Sequence, residues 1–366
     1  MYGGPSTVII ELCEALERLG VLIQVVSTNT NGKFQPISPS DIKSDLNIKL
    51  FNKSFSESFQ YASGFKKWLR LNIGQFDLVH GHAMWAYLTG AAARVSFQMS
   101  KPFILRPAGM LSSYSLGKKS LLKRVFWHLR EKNTVKMASA FHATSSGEAE
   151  EIRRLRPDAE IWTIPHGLPD EAFSIPVETG WLRSQCPMAG NLPIVLFFSR
   201  IHPKKGLSDI LIPAFSQMKN LAHLVIAGGE DSHVPGYENE VKRQILTLGL
   251  QNHVTFLGPI APSNRWRLLD GAAAFALPSQ AENFGVVVTE AMARGTPVVI
   301  SDQVQIGDIV ENNSGGRVIP RDVNLWALTL SEVIGSPWDR YPRFRGTWDT
   351  AAKAVVQGYE SILKAR

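Results

Sequence analysis

The stretch whose reading decides the fold is 277-LPSQAENFGVVVTEAMARGTPVVISD-302. An apolar run closes in Pro278-Ser279, an acidic residue and a glycine follow, and the spacing predicts a helix from about Val286. A second apolar run begins at Pro297. Strand, loop, helix, strand is the repeating unit of a parallel α/β sheet, and ligands there sit beyond the carboxyl ends of strands. Glu282 falls on that loop. Glu290 falls about one turn into the helix, on the side facing the loop, where a carboxylate can accept from two vicinal hydroxyls such as those of a ribose. Asn283, Phe284 and Gly285 offer backbone N–H groups at a helix N-terminus, an anion site. An isolated pair of this kind is more often a loop glutamate and a solvated helix glutamate, so the neighbouring segments must decide.

Upstream, 197-FFSRIHPKKGL-207 sets Arg200 at the end of an apolar run and Lys205 just before Gly206. Two cations at one strand end suit a diphosphate, arginine through its fork and lysine as a point charge; a basic surface turn is the plainer reading. The same alternation runs through the chain. Strands are expected at 21–27, 76–82, 102–107, 139–144 and 160–165, then at 193–199, 223–229, 253–258, 273–279 and 297–302, with helical patterns between them. The runs read as apolar on both faces, as strands covered by helices on each side must be. Two α/β domains follow, 1–165 and 193–346, with the Pro-rich stretch 166–192 as the expected linker.

The opening, 1-MYGGPSTVIIELCEALERLG-20, is a glycine-rich turn running into an amphipathic helix pattern, the usual device for aiming backbone N–H groups at phosphate. Such a turn hangs from a buried strand, and the expectation is that the first domain's first strand is missing from this numbering. The 366 residues carry 44% hydrophobic and 19% charged residues, the balance of a soluble globular protein, and no apolar run approaches the roughly 20 residues of a membrane helix. Cys13 and Cys186 form no metal or redox pattern, so a cytoplasmic protein is expected. The formal net charge of +7 is uneven: residues 1–165 hold 21 Lys+Arg against 13 Asp+Glu, and the remainder 18 against 19. Its densest part is 118-KKSLLKRVFWHLREKNTVK-136, seven cations and one glutamate interleaved with Leu121, Leu122, Val125, Phe126, Trp127 and Leu129. It reads either as a surface for anionic membrane or as a packed helix with a basic outer face. No nucleic-acid motif accompanies it, so no nucleic-acid partner is expected. His80 and His82 lack further ligands, so no metal is expected either. Arg106, in 105-LRPAG-109, faces a cleft or caps a strand.

Taken together, "GGPS", "DLVHGHAMW", "ILRPAGML", "ATSSGEAEEIR", "IPHGLP", "SRIHPKKGL", "LVIAGGE", "VTFLGPI" and "AENFGVVVTEAMARGTPVV" resemble the retaining, nucleotide-sugar-dependent glycosyltransferases of glycosyltransferase family 4. The resemblance implies the α/β GT-B architecture of two facing Rossmann-like domains, with a C-terminal helix at 347–366 crossing back to the first. It implies that Arg200 and Lys205 hold the diphosphate of a UDP- or GDP-type sugar, that Glu290 takes the ribose, and that Glu282 meets the transferred sugar. Gly258, Asn283, Phe284 and Gly285 would line the nucleotide-sugar site, and Gly3 and Gly4 would close over the phosphates from the first domain. His82 matches the family histidine at the sugar site, which places His82, Arg200, Lys205 and Glu282 in catalytic roles and Arg106 on the acceptor side. No Asp-x-Asp pair occurs, so neither metal nor cofactor is expected; the cations neutralise the leaving diphosphate instead. The acceptor is expected to be a lipid-linked saccharide or polysaccharide, as in polysaccharide or lipopolysaccharide biosynthesis. Docking on the inner face of an anionic membrane through 118–136 goes with that expectation. The competing readings are a GT-B nucleotide-sugar epimerase, which needs no acceptor, and an inactive GT-B binding protein.

Overall fold

The computed structural model describes residues 4–31, 36–54, 59–112, 125–218 and 220–365. The chain divides into two compact units, residues 1–167 with 346–366, and residues 168–345. The stretch expected as a linker therefore belongs almost wholly to the second unit. Its short helices Glu171–Ser174 and Gly180–Gln185 bury Ala172 and Leu182 in that unit's core, because apolar residues at helical spacing sit between the prolines.

The first unit holds two separate parallel sheets. Among the described residues β1 (Val25–Thr28) pairs only with β2 (Ile48–Phe51), and β3 (Lys53–Ser54) forms a small antiparallel pair with β4 (Tyr61–Ala62). The main sheet runs β5 (Val79–His82), β6 (Phe103–Arg106), β7 (Ala140–Ala143), β8 (Glu160–Thr163), all parallel. Side chains alternate across it. Phe103, Leu105, Phe141 and Ala143 enter the main core with the helices Phe65–Asn72 and Tyr87–Gln98. The other face differs from the apolar expectation. Register sets His80 beside Ile104 and His82 beside Arg106, so this face carries two imidazoles and a guanidinium along with His142 and Trp162. The helix Trp348–Lys364 lies on it, with Ile362 against Ile104 and Ala140. Gly358 permits that approach, since a Cβ there would stand 2.6 Å from the Trp162 ring. The helix Gly4–Arg18 joins the same layer, with Arg18 2.6 Å from Asp349. Gly4 opens that helix; Gly3 lies outside the described residues.

The second unit is one six-stranded parallel sheet in the order β11-β10-β9-β12-β13-β14. The strands are β9 (Ile194–Phe198), β10 (His223–Ala227), β11 (Val254–Gly258), β12 (Ala274–Leu277), β13 (Val298–Ser301) and β14 (Gly316–Ile319). This is the Rossmann order, and it reverses between β9 and β12. A ligand crevice belongs at the carboxyl ends of those two strands. Below it, Arg294 and Asp270 form a buried pair 2.7 Å apart, and Arg294 also donates to the carbonyls of Ala172 and Ile175. That clamp fixes the unit's first segment to its core. No described helix is long and apolar enough to cross a membrane.

Of the stretch 118–136, residues up to 124 lie outside the described part, Lys118, Lys119, Lys123 and Arg124 among them. From 125 the chain is helical, with a π-helical turn at Trp127–Glu131 and an α-helix Lys132–Met137. Val125, Phe126 and Leu129 are exposed there, as are Lys132 and Lys136, while Thr134 and Val135 are buried.

Candidate active site

Two groups of side chains carry chemistry, one in each unit. In the second unit the carboxyl ends of β9 and β12 meet through their loops. Gly206 follows the single 3-10 turn Pro203–Lys205 with φ +80°, and a Cβ there would stand 2.1 Å from the Pro278 carbonyl oxygen. Only glycine allows the two loops this close. Gln280 N–H donates to the Lys204 carbonyl at 2.8 Å, which locks their register. As a result Lys205 forms an ion pair with Glu282, 77 residues away, both largely shielded from solvent. The Glu282 backbone is held in turn: its N–H donates to Gln303 and its carbonyl accepts from Gln305.

Arg200 reaches out of β9 to Asp231, which is buried behind the turn after β10. Burial by itself would raise the Asp231 carboxyl, but the His233 amide and ring and the Arg200 guanidinium outweigh it and hold Asp231 below the usual carboxylate range. The Arg200 side chain remains 69% exposed, so most of its N–H fork faces outward. Glu290 is buried one turn into the helix Val286–Ala293 and pairs with Arg265 at 2.9 Å. Gly285 precedes that helix at φ +70°, Phe284 is buried, and Gly258 ends β11 at φ +68° while accepting from Gly228 N–H at 2.7 Å. Arg200, Lys205, Glu282 and the segment 283–285 thus share the rim at the reversal point, with Glu290 beneath it. Asp231 and Arg265 were not singled out from sequence; the acidic pair Glu230-Asp231 after the Gly228-Gly229 turn was the available signal for the first.

In the first unit the face under the helix Trp348–Lys364 gathers the rest. Arg106, 4% exposed, neither caps a strand nor lies open to solvent. Its Nη2 donates to His166 Nε2 at 2.9 Å and its Nη1 to His82 Nδ1 at 3.4 Å. The His80 and His82 rings stack at 4.4 Å, His142 lies 5.4 Å from His80, and His80 Nδ1 meets Tyr359 Oη at 2.8 Å. Burial, then the charge of Arg106, pushes His80 down to about 3, and the same two causes head the depression of His142 and His166. Burial pushes Arg106 itself down to about 10, so it stays charged at neutral pH. Beyond His82 the backbone takes positive φ at Ala83 and Trp85, two strained residues at a strand end. Period-two spacing could have placed His80 and His82 with Arg106; His142, His166 and Tyr359 had no local signal.

Comparison with known proteins gives the family. Residues 2–172 match the model described as Glycosyltransferase Family 4, and residues 182–345 the model described as Glycosyl transferases group 1, in that order and over nearly the whole chain. The chain is a glycosyltransferase of the GT-B type. This glycosyltransferase is similar to the D-inositol 3-phosphate glycosyltransferase of Xylanimonas cellulosilytica, 24% identical over 100% of this chain and 93% of that one. Among solved structures, sucrose-phosphate synthase from Thermosynechococcus elongatus superposes with a TM-score of 0.77 at 20% identity, covering 100% of this chain and 94% of that one. The Anabaena protein HepE, in complex with UDP-glucose, superposes at 0.70 with 23% identity over 100% and 95%.

Proposed function

We propose that this glycosyltransferase moves a sugar, with retention at the anomeric carbon and without a metal, from a nucleoside-diphosphate donor held by the second unit. The acceptor, taken by the first unit, is a lipid-linked saccharide. The observation that carries the donor half is the gathering of Arg200, Lys205 and Glu282 at the reversal point of a Rossmann sheet, with buried Glu290 behind them. Arg200 and Lys205 take the diphosphate and stabilise the charge it gains as the glycosidic bond breaks. Both come to it pre-aimed, since Asp231 and Glu282 hold them without covering the Arg200 fork. Glu290 accepts from the ribose hydroxyls, Glu282 and His82 orient the sugar, and a phosphate oxygen takes the acceptor's proton on the same face. The UDP-glucose in the HepE structure favours a uridine diphosphate donor.

The acceptor half rests on charge. The positive excess lies entirely in residues 1–165, and exposed Val125, Phe126 and Leu129 stand among the cations of 118–136. A second reading, a soluble phosphorylated acceptor, is favoured by the inositol phosphate and sucrose phosphate in the names of similar proteins, and the same charge suits it. The test is nucleoside-diphosphate release from a panel of nucleotide sugars with and without acceptors, the product's anomeric configuration being read by NMR. Arg200→Ala and Lys205→Ala should each lower turnover at least about 100-fold; near-normal rates in both folded variants reject the diphosphate role. Conversion of donor with no acceptor present favours an epimerase. Sedimentation with anionic liposomes at low and high salt decides between the acceptors, because screening weakens a charged membrane contact of about 1 kcal/mol per cation.

A further inference from the structure

The buried group under the helix Trp348–Lys364 has an unusual charge pattern. Among the described residues no carboxylate stands within ion-pair reach of Arg106, and its hydrogen-bond partners are imidazole nitrogens. A guanidinium has only N–H groups to offer, so an imidazole nitrogen that accepts from it must present a lone pair, and of the two His166 nitrogens near Nη2 only one can do so. For His82 that nitrogen is Nδ1. A proton on Nδ1 would point at Arg106 Nη1, donor against donor and positive against positive. The proton of neutral His82 must then sit on Nε2, because the bond made by one ring nitrogen sets the state of the other.

We propose that Arg106 is a positioning residue that holds His82 neutral with its proton on Nε2, so that His82 meets the substrate as a hydrogen-bond donor and not as a base. The proposal rests on the reading that His82 contacts the transferred sugar. The backbone reinforces it. His82 and Arg106 are register partners on adjacent strands, and the Ala83 N–H donates to the Arg106 carbonyl at 2.9 Å just past the ring. The stacked His80 ring restricts rotation on one side, and His80 is itself tied to Tyr359.

The groups facing this site come from every layer around it. They are His80 from β5, His142 from β7, His166 after β8, Tyr359 from the C-terminal helix, Cys13 from the first helix and Glu148 from Ser146–Leu155. Burial keeps Cys13 protonated, pushed up to about 12, and raises Tyr359 far above its ordinary range. The charge of Glu148 favours the charged form of Arg106, and its carboxylate accepts from Gly109 N–H at 2.6 Å and Thr144 N–H at 2.7 Å, fixing the loop that follows Arg106. Burial first, then His80, Arg106, His142 and His166, hold His82 well below its usual range. Arg106 is the charge that changes when it is substituted.

The experiment is 15N NMR on the full chain labelled at histidine ring nitrogens, with His82→Gln used to assign the signals. The unmodified protein should show His82 with bare Nδ1 and protonated Nε2 from pH 7 down to pH 5, unaltered. Arg106→Met should release it, mixing the two tautomers and shifting its protonation upward in pH, with burial still opposing the charge. Turnover should then fall roughly tenfold at pH 7 and gain a new acidic limb. Arg106→Lys should keep the NMR signature in part and recover some activity, which a packing role alone would not give. A proton on Nδ1, an imidazolium at pH 6 in the unmodified chain, or an unchanged tautomer and pH profile in folded Arg106→Met overturns the proposal. Full turnover by His82→Gln would instead remove the sugar-contact reading, while the NMR signature still decides the tautomer.

Discussion

Lowering pH from 7 to 5 should loosen the first unit selectively, and the structure sets the size of the effect. His142 and His166 are 2% and 8% exposed and are held neutral by burial and by Arg106. In the unfolded chain each titrates near its ordinary value of about 6.5. The folded pKa lies below the unfolded one, so the unfolded state binds more protons as soon as pH falls under that value. Stability is therefore full above about pH 7 and is lost as pH drops through the unfolded pKa. A histidine that stays neutral when folded loses about 2 kcal/mol between pH 7 and pH 5, so the two together lose about 4 kcal/mol. His80, pushed down to about 3 chiefly by burial, and His82, held well below its usual range by burial and its neighbours, push the same way, so the total loss is at least about 4 kcal/mol. Against a typical domain stability of about 5–15 kcal/mol this is a large share. Hydrogen exchange read on peptides from β5 to β8, corrected for the intrinsic pH dependence, measures it directly. The opening free energy of those strands should drop by at least about 4 kcal/mol, and His142→Gln should return about 2 kcal/mol of the drop. In the second unit His223, pushed down to about 4 by burial, makes a similar contribution. Equal protection of β5 to β8 at both pH values, or rings of His142 and His166 titrating near their ordinary value in the folded chain, refutes the reasoning.

Three further outcomes follow from other contacts. Arg294→Met leaves Asp270 buried without its cation and should cost the second unit about 3–5 kcal/mol, read as a lower urea midpoint for its tryptophan signal. Gly206→Ala puts a Cβ against the Pro278 carbonyl at positive φ, so the loop bearing Lys205 must shift; turnover should fall at least about tenfold while circular dichroism stays unchanged. Turnover should persist in EDTA and gain nothing from Mg²⁺ or Mn²⁺, because Arg200 and Lys205 supply the positive charge; rescue by either ion after EDTA would reject metal-independence.

Much of this protein is local and could be read from order alone. The runs ending at His82, Arg106, Phe198 and Leu277 are strands because apolar and β-branched residues crowd there between turn residues. The helix from Val286 starts where Gly285 permits a positive φ. The sequence likewise places Arg200, Lys205 and Glu282 on loops after strands, since a loop position needs only its flanking periodicity. What it leaves open is which charge meets which. Lys205 and Glu282 are 77 residues apart, Arg106 and His166 are 60, and His80 and Tyr359 are 279. Strand order brings them together, and strand order comes from the packing of whole helices on whole sheets. The same cause explains the short strands β2 and β14, which the periodicity did not single out. It also explains the polar face of β5 to β8. Three histidines and an arginine at alternate positions look like interruptions in apolar runs until the C-terminal helix covers them and each imidazole finds a hydrogen-bond partner. Hydrophobic periodicity reports whether a residue is buried, whereas the free energy of a buried charge depends on neighbours that only the tertiary structure selects.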